Sequence, residues 1–271
     1  MCSQEKSHGV KGGWSIDKDF LDPVTKRRYD LRIKKDQNEV RRLVKRDRPL
    51  TLIVSPPCTL FSIANQRPLD PKDLEEAKEL MSCAAEMCTR QHKAGRHFVL
   101  EQPLTSRAWS LEPITKLMMT EGVISTEFHQ CMYGLTALDH QGVAPAYKPT
   151  SVLTNHSALA EVLQERCNGK HRHAQLIGKS ACTQAACYPP RLCAAVVKGI
   201  QVIKGKLEEL SSARRMIKEA CQCVPGNLAS VTSAGSHGND LAIDPEDVLY
   251  ELELEDMCEE DPSTWENLAN Q

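Results

Sequence analysis

A cysteine that follows two prolines is the residue of this sequence best placed to act as a nucleophile. Cys58 lies in the segment Ser-Pro-Pro-Cys-Thr-Leu-Phe-Ser at 55–62, directly after the apolar run 50–54. The apolar run predicts a short buried strand, which the prolines cannot continue, so the chain must leave the sheet before Cys58. Cys58 is thereby placed at the carboxyl end of a strand, where open α/β sheets bind ligands. A small core cysteine beside a proline-rich turn is the alternative interpretation.

A glutamate 43 residues further along is the second candidate for chemistry. Glu101 ends the run 97–101, which predicts another strand, and a helix-sized segment separates this strand from the first. Strand, helix and strand in this order form a βαβ unit, whose parallel strands end at the same edge of the sheet. Cys58 and Glu101 are therefore predicted to face one ligand, unless Glu101 is a structural carboxylate that caps a loop.

Both segments resemble motifs of the DNA (cytosine-5) methyltransferases. Pro-Pro-Cys-x-x-Phe-Ser is similar to the nucleophile motif of that family, with Thr59 where the family usually has glutamine. Phe-Val-Leu-Glu-Gln-Pro at 98–103 is similar to the family's Glu-Asn-Val motif, of which only the glutamate is kept. The resemblance extends over about residues 14–205, and it depends mainly on the order and spacing of these two motifs.

The resemblance implies a fold, a reaction and a cofactor. The fold is a three-layer α/β fold with a parallel-rich sheet of the S-adenosylmethionine-dependent methyltransferase type, which is Rossmann-like. Cys58 would add to C6 of a cytosine flipped out of DNA, and Glu101 would contact the N3/N4 edge of that base. C5 of the cytosine would then accept the methyl group. Asp17, Asp30 and Pro56 would line the binding site for S-adenosylmethionine.

The amino-terminal part of the sequence departs from this family. Its members begin with a strand and a Phe-x-Gly-x-Gly loop that binds S-adenosylmethionine, whereas only 13 residues precede Trp14 here. We therefore expect an N-terminally truncated sheet with an unpaired edge beside the Cys58 strand. Two alternatives follow. One is a catalytically inactive remnant of a mobile element or virus that binds nucleic acid or a partner chain. The other is half of a split methyltransferase, whose second chain supplies the first strand.

The pattern Cys-x-x-x-His-x-His is a candidate metal site. It consists of Cys167, His171 and His173, and the combination of thiolate and imidazole suits a structural zinc ion. The fourth ligand would be a cysteine, with three candidates: Cys131, Cys182 and Cys187. A basic loop near phosphate and an ordinary surface segment remain the other interpretations.

The charge is distributed unevenly along the 271 residues. Residues 1–218 hold all 34 Lys and Arg and 23 of the acidic residues, a net charge of +11, whereas 219–271 carry −13. The basic part is compatible with DNA as a partner, although the arginine-rich stretch 41–48 is more often a solvated helix face. No apolar run approaches membrane-spanning length, so we expect an intracellular protein, cytoplasmic or nuclear, without a membrane partner. The twelve cysteines are expected to be reduced.

The remaining patterns predict the elements that must position Cys58 and Glu101. Helices are expected over 37–46, from Asp70-Pro71 to Gly95, over 107–121, over 157–166 and from Pro190 to about 221, and strands over 14–17, 50–54, 97–101, 123–130 and 148–155. The order β-α-β-α-β predicts a parallel sheet with helices on its faces. We divide the chain into a disordered amino terminus (1–13), a methyltransferase-like domain (14–222) and an acidic, disordered tail (223–271).

Overall fold

The computed structural model describes residues 10–63, 68–176 and 185–222, with side chains as far as 216. The chain divides into two compact units, 1–218 and 219–271, and the second contributes only the last turn of a helix to the described residues. Three of the sequence predictions concern residues outside this part: the chain 1–9, Cys182 and the tail 223–271.

Helices and strands alternate along the described part of the chain, which is therefore a mixed α/β protein. They are α1 (Lys34–Asp47), β1 (Thr51–Val54), α2 (Pro71–Lys93), β2 (His97–Pro103), α3 (Glu112–Met118), β3 (Ile124–His129), β4 (Thr136–Asp139), β5 (Gly142–Pro145), β6 (Pro149–Thr154), α4 (Ser157–Glu161) and α5 (Pro190–Gln222). Short 3-10 turns cover Thr59–Phe61, Arg107–Ser110 and Gln130–Tyr133. This order confirms most of the predicted elements.

Four strands form a mixed sheet in the order β1-β2-β6-β3. β1 pairs in parallel with β2, whereas β6 pairs antiparallel with both β2 and β3. The predicted parallel-rich sheet is therefore corrected: three strands share one direction, but β3 is not the neighbour of β2. The physical reason is that the chain turns back after β3, forms the β4–β5 hairpin and then inserts β6 between β2 and β3.

Helices cover both faces of the sheet and complete three layers. On one face, α1, α2 and α3 pack against β1, β2 and β6 through buried side chains that include Leu43, Cys88, Leu117, Phe98 and Leu153. On the other face, α4 and α5 pack through Leu159, Val196, Ile200, Val99 and Val152. Phe98 and Val99 belong to opposite faces because successive strand residues alternate.

Local signals explain where helix α2 begins and ends. The Asp70 carboxylate accepts a hydrogen bond from the Lys72 amide, and Pro71 occupies the first helical position, as predicted. Just beyond the last residue, Gly95 has a φ of +62°, a left-handed conformation that glycine adopts without strain.

Two predicted elements near the start and the middle of the chain are corrected. The helix expected over 107–121 is split into the 3-10 turn and α3, because Pro113 is compatible only with the first turn of a helix. The strand expected over 14–17 is irregular chain. Trp14 and Ile16 instead pack against the α1–α3 face of the sheet, so tertiary packing replaces strand pairing there.

His97, at the start of β2, makes stability depend on pH. Its Nδ1 is buried without a hydrogen-bond partner in the described structure, and its ring lies edge-on to that of His156, with centroids 4.8 Å apart. Burial lowers the pKa of His97 to about 4, and the neighbouring His156 acts in the same direction. The unfolded chain therefore takes up this proton near pH 6.5, well before the folded protein does.

We expect His97→Gln to reduce the acid sensitivity of the fold. Between pH 7 and 4.5 the wild-type protein should lose about 1–2 kcal/mol more unfolding free energy than the variant, allowing for solvent screening of the half-buried ring. Urea denaturation at both pH values measures this difference. His140→Gln, in the exposed β4–β5 turn, is the control and should behave like wild type; an unchanged pH dependence in His97→Gln would contradict the assignment.

None of the described helices combines the length and the apolar composition that a bilayer crossing requires.

Candidate functional site

The loop that carries Cys58 is held at both ends. It leaves β1 after Val54, and Cys58 immediately precedes the 3-10 turn, where its carbonyl accepts a 3.0 Å hydrogen bond from the Phe61 amide. Phe61 is 3% exposed and packs against Met81 and Ala108. The thiol itself is partly buried. Cys58 therefore sits on a loop fixed by packing, as the proline-rich sequence predicted.

Gln102 connects this loop to the neighbouring strand. Its side-chain amide donates a 2.7 Å hydrogen bond to the Pro56 carbonyl and its Oε1 accepts one of 3.2 Å from the Ser106 hydroxyl. Gln102 is only 1% exposed, so these hydrogen bonds form in a nearly dry environment. The sequence analysis had assigned no role to Gln102, although it directly follows Glu101 in the motif.

Glu101 lies beside this loop, just beyond the parallel pairing of β1 with β2. That pairing ends at Val54 and Leu100, so Glu101 is level with Ser55. Its side chain points towards the α5 layer and is 9% exposed. Oε2 accepts a 2.5 Å hydrogen bond from the Tyr188 hydroxyl, whereas Oε1 is buried and has no partner among the described residues. The carboxyl group thus keeps one hydrogen-bonding position unused.

Tyr188 covers Glu101 from the residues that lead into α5. Its hydroxyl oxygen is also 2.9 Å from the Ser55 hydroxyl, which can donate to it while Tyr188 donates to the carboxylate. The Lys148 ammonium lies 5.7 Å from the centre of the tyrosine ring and donates to the Ala185 carbonyl. The contact between Tyr188 and Glu101 spans 87 residues of the sequence and leaves no local signal in it.

The carboxyl group of Glu101 affects the Cys58 thiol electrostatically. Burial raises the pKa of the Cys58 thiol, and the negative charge of Glu101 raises it further, while Lys148 acts in the opposite direction. Burial also raises the pKa of Glu101, against the effects of Lys148 and the Tyr188 hydrogen bond. In the free protein both groups therefore favour their protonated forms more than they would in water.

The space around Glu101 is small. A cavity of about 20 Å³, lined mainly by apolar side chains such as Val99, Phe128 and Leu192, adjoins its carboxyl group. This volume is of the order that a single water molecule occupies. A larger group can reach Oε2 only if the Tyr188 hydroxyl moves away, so the described conformation is a closed form of the site.

Two of the predicted cofactor-binding residues, Asp17 and Asp30, interact only with nearby residues among the contacts described. Asp17 accepts hydrogen bonds of 2.7 and 3.2 Å from the Asp19 and Phe20 amides. Asp30 forms a bidentate ion pair with Arg32, with its closest contact at 2.6 Å. Neither carboxylate contacts Cys58 in the described structure, whereas Pro56 is linked to the site through Gln102.

The arginines of α1 are already paired. Arg41 contacts Glu86 at 2.7 Å, Arg42 contacts Glu39 at 2.6 Å and Arg46 contacts Asp47 at 2.5 Å. These pairs neutralise much of the basic stretch, which favours its interpretation as a solvated helix face over a DNA-binding surface.

A second group of side chains, two cysteines and two histidines, lies close together near the end of β3. The potential ligand atoms of Cys131, Cys167, His171 and His173 all lie within 4.8 Å of one another, so the group could hold a metal ion. Of the two candidate fourth ligands that the structure describes, Cys131 belongs to the group, whereas Cys187 is exposed and outside it.

A comparison of the chain with protein families, curated proteins and solved structures finds no match. The geometry of the two clusters therefore carries the functional argument.

Proposed function

We propose that this protein is DNA (cytosine-5) methyltransferase-like and that Cys58 and Glu101 bind and covalently activate a cytosine base. The observation that carries the proposal is the position of the thiol and the carboxyl group just beyond the parallel pairing of β1 with β2, close enough for the charge of Glu101 to raise the pKa of Cys58. The motif resemblance assigns the same two residues to the nucleophile and to the base contact. The three-layer α/β fold, with helices on both sheet faces, supports the methyltransferase-like class.

The chemistry requires a nucleophile and a group that stabilises charge on the base. As the Cys58 sulfur bonds to C6, its proton leaves to solvent and the C5–C6 π electrons move into the ring. The carboxyl group of Glu101, whose pKa is raised by burial, donates a proton to N3 and neutralises the developing charge. C5 then has enamine character and accepts an electrophile. Loss of the C5 proton, expulsion of the Cys58 thiolate and return of the N3 proton to Glu101 restore the aromatic base.

Substrate entry must open the site. The Tyr188 hydroxyl donates a hydrogen bond to Oε2 of Glu101. In the complex, the exocyclic amino group of cytosine would donate to Oε2 in its place. A flipped base therefore exchanges one hydrogen bond to Oε2 for another. It also offers a partner to Oε1, which has none among the described residues.

The described residues do not fit S-adenosylmethionine. Asp17 and Asp30 have local partners, and Gly12 and Gly13 lie in irregular chain that follows no described strand. The proposed role of the described residues is therefore the covalent activation of the base, without transfer of the methyl group.

An edge strand favours one half of a split enzyme as the second candidate function. β1 pairs with β2 on one side and has no strand on its other side in the described structure. A strand from a second chain, carrying a glycine-rich loop, would pair with β1 at this edge and lie directly beside Cys58. In that arrangement this chain activates the base and its partner supplies the methyl donor.

Hydrogen exchange at C5 of cytosine tests the proposal without a methyl donor. The enamine takes up deuterium from D2O and then loses the original proton, so cytosine-containing DNA incubated with the full chain should gain deuterium at C5, measured by mass spectrometry after digestion. Calorimetry with S-adenosylmethionine then distinguishes a complete enzyme, which binds it, from a half enzyme, which does not. DNA binding without C5 exchange would overturn the proposal and favour an inactive nucleic-acid-binding protein.

A further inference from the structure

The group formed by Cys131, Cys167, His171 and His173 has interatomic distances that suit a tetrahedral metal site. Cys167 Sγ lies 3.5 Å from His171 Nε2 and 3.4 Å from His173 Nε2. Zinc bonds of 2.3 Å to sulfur and 2.0–2.1 Å to nitrogen, arranged tetrahedrally, separate sulfur and nitrogen by about 3.5 Å. The two separations thus match the edges of a zinc tetrahedron, with Cys131 available for the remaining corner.

The backbone positions these ligands through its own contacts. Cys131 lies in the 3-10 turn after β3, which ends at Gly134 with a φ of +88°. In the second ligand segment, Gly169 has a φ of +72°, and its amide donates a 3.3 Å hydrogen bond to the Cys167 sulfur. Such N–H groups stabilise a thiolate. The turn therefore places a hydrogen-bond donor beside the sulfur that would bind the metal.

Neighbouring contacts fix the rest of the ligand segment. The Cys167 amide donates a 2.9 Å hydrogen bond to His129 Nδ1, which commits that histidine to a supporting role at the end of β3. Arg172, between the two histidine ligands, contacts Asp139 at 2.7 Å, and Ala174 forms a β-bridge with Ala146. The segment is thus anchored to the β4–β5 hairpin on both sides of His173.

We propose that Cys131, Cys167, His171 and His173 bind one zinc ion in a structural site. Two thiolates and two imidazoles suit zinc among the common divalent cations. Four protein ligands leave no position for water or substrate, so the ion stabilises the fold and takes no part in a reaction. It joins the end of β3 to the 167–173 segment and adds to the hydrogen bond that the Cys167 amide already donates to His129. The inference is independent of the proposed reaction at Cys58.

Metal analysis of the full chain tests the site. After dialysis against a competing chelator, we expect the wild-type protein to keep about one zinc ion per chain, and Cys131→Ser and His173→Gln to keep less than about a tenth as much. Cys187→Ser and His140→Gln are the matched controls and should keep the wild-type content. Zinc-free wild-type protein that also fails to take up added zinc, or loss of zinc in Cys187→Ser with retention in Cys131→Ser, overturns the assignment.

Two measurements on the wild-type protein remain decisive if a variant does not fold. Cobalt in place of zinc should give the strong visible absorption and thiolate charge-transfer bands of a tetrahedral site. Zinc should also protect Cys131 and Cys167 from alkylation, with the exposed Cys187 as internal standard. Octahedral cobalt spectra, or equal alkylation with and without zinc, contradict the proposal. Activity at Cys58 enters neither readout, so the two proposals fail or succeed separately.

Discussion

Deuterium incorporation at C5 of cytosine is expected to fall by at least about 10³-fold in Cys58→Ala and Cys58→Ser. Alanine removes the atom that bonds to C6, and a serine hydroxyl is a far weaker nucleophile because almost none of it ionises near neutral pH. The measurement is the rate of C5 exchange in D2O at saturating DNA. DNA binding should stay within a few fold of wild type, because Cys58 provides one contact among many.

Cys83→Ala is the matched control for this experiment. Cys83 is a buried thiol of α2 whose pKa is also raised, chiefly by burial, and it lies outside the candidate site. The variant should exchange C5 hydrogen at the wild-type rate. Exchange that survives in Cys58→Ala, or that is lost equally in both variants, would show that Cys58 is not the nucleophile.

Glu101→Gln should change activity and stability in opposite directions. We expect the rate of C5 exchange to fall by about 10²–10³-fold, since an amide cannot donate the proton that N3 needs. The free energy of unfolding at pH 7.5 should rise by about 1–3 kcal/mol, because a neutral amide keeps the Tyr188 hydrogen bond without the cost of a buried carboxylate.

The gain in stability of Glu101→Gln should depend on pH. Burial raises the pKa of Glu101 in the folded state, so the unfolded chain releases this proton first and stability falls as pH rises above about 4.5. The advantage of Glu101→Gln should therefore appear over that range and disappear at lower pH. Urea denaturation at pH 4 and 7.5 measures it. A variant less stable than wild type at both values would contradict the argument.

Glu86→Gln is the control, because the pKa of Glu86 is lowered in the folded protein whereas that of Glu101 is raised. Although burial opposes it, hydrogen bonds from Arg41 and Arg90 lower the pKa of Glu86. Its replacement should reduce stability at neutral pH and leave C5 exchange unchanged.

Local sequence signals were sufficient to predict the loop that presents Cys58. The apolar run, the prolines and the helix cap at Asp70 each act over a few residues, and the structure has strand β1, the fixed loop and helix α2 in those places. The proximity of Cys58 to Glu101 followed from the βαβ connection, because a helix between parallel strands returns the chain to the same sheet edge.

Long-range packing decided what the sequence could not predict. β6 has the same apolar pattern wherever it is inserted, so its place between β2 and β3 depends on packing across the whole sheet. The fourth metal ligand could not be predicted for the same reason. Cys131 is 36 residues before Cys167, and the sequence offered three cysteines that were equally suitable as the ligand. Only the contact between the end of β3 and the later segment distinguishes Cys131.

The insertion of β6 also sets the order in which the sheet can assemble during synthesis. β2 is complete at Pro103, but its second neighbour ends at Thr154, about fifty residues later. At translation rates of about 5–20 residues per second, the inner edge of β2 stays open for roughly 3–10 s after it has been synthesised. β3 also remains unpaired until β6 is synthesised, since β6 is its only strand neighbour in the described sheet. The nascent chain therefore exposes apolar strand edges for seconds before the sheet can close.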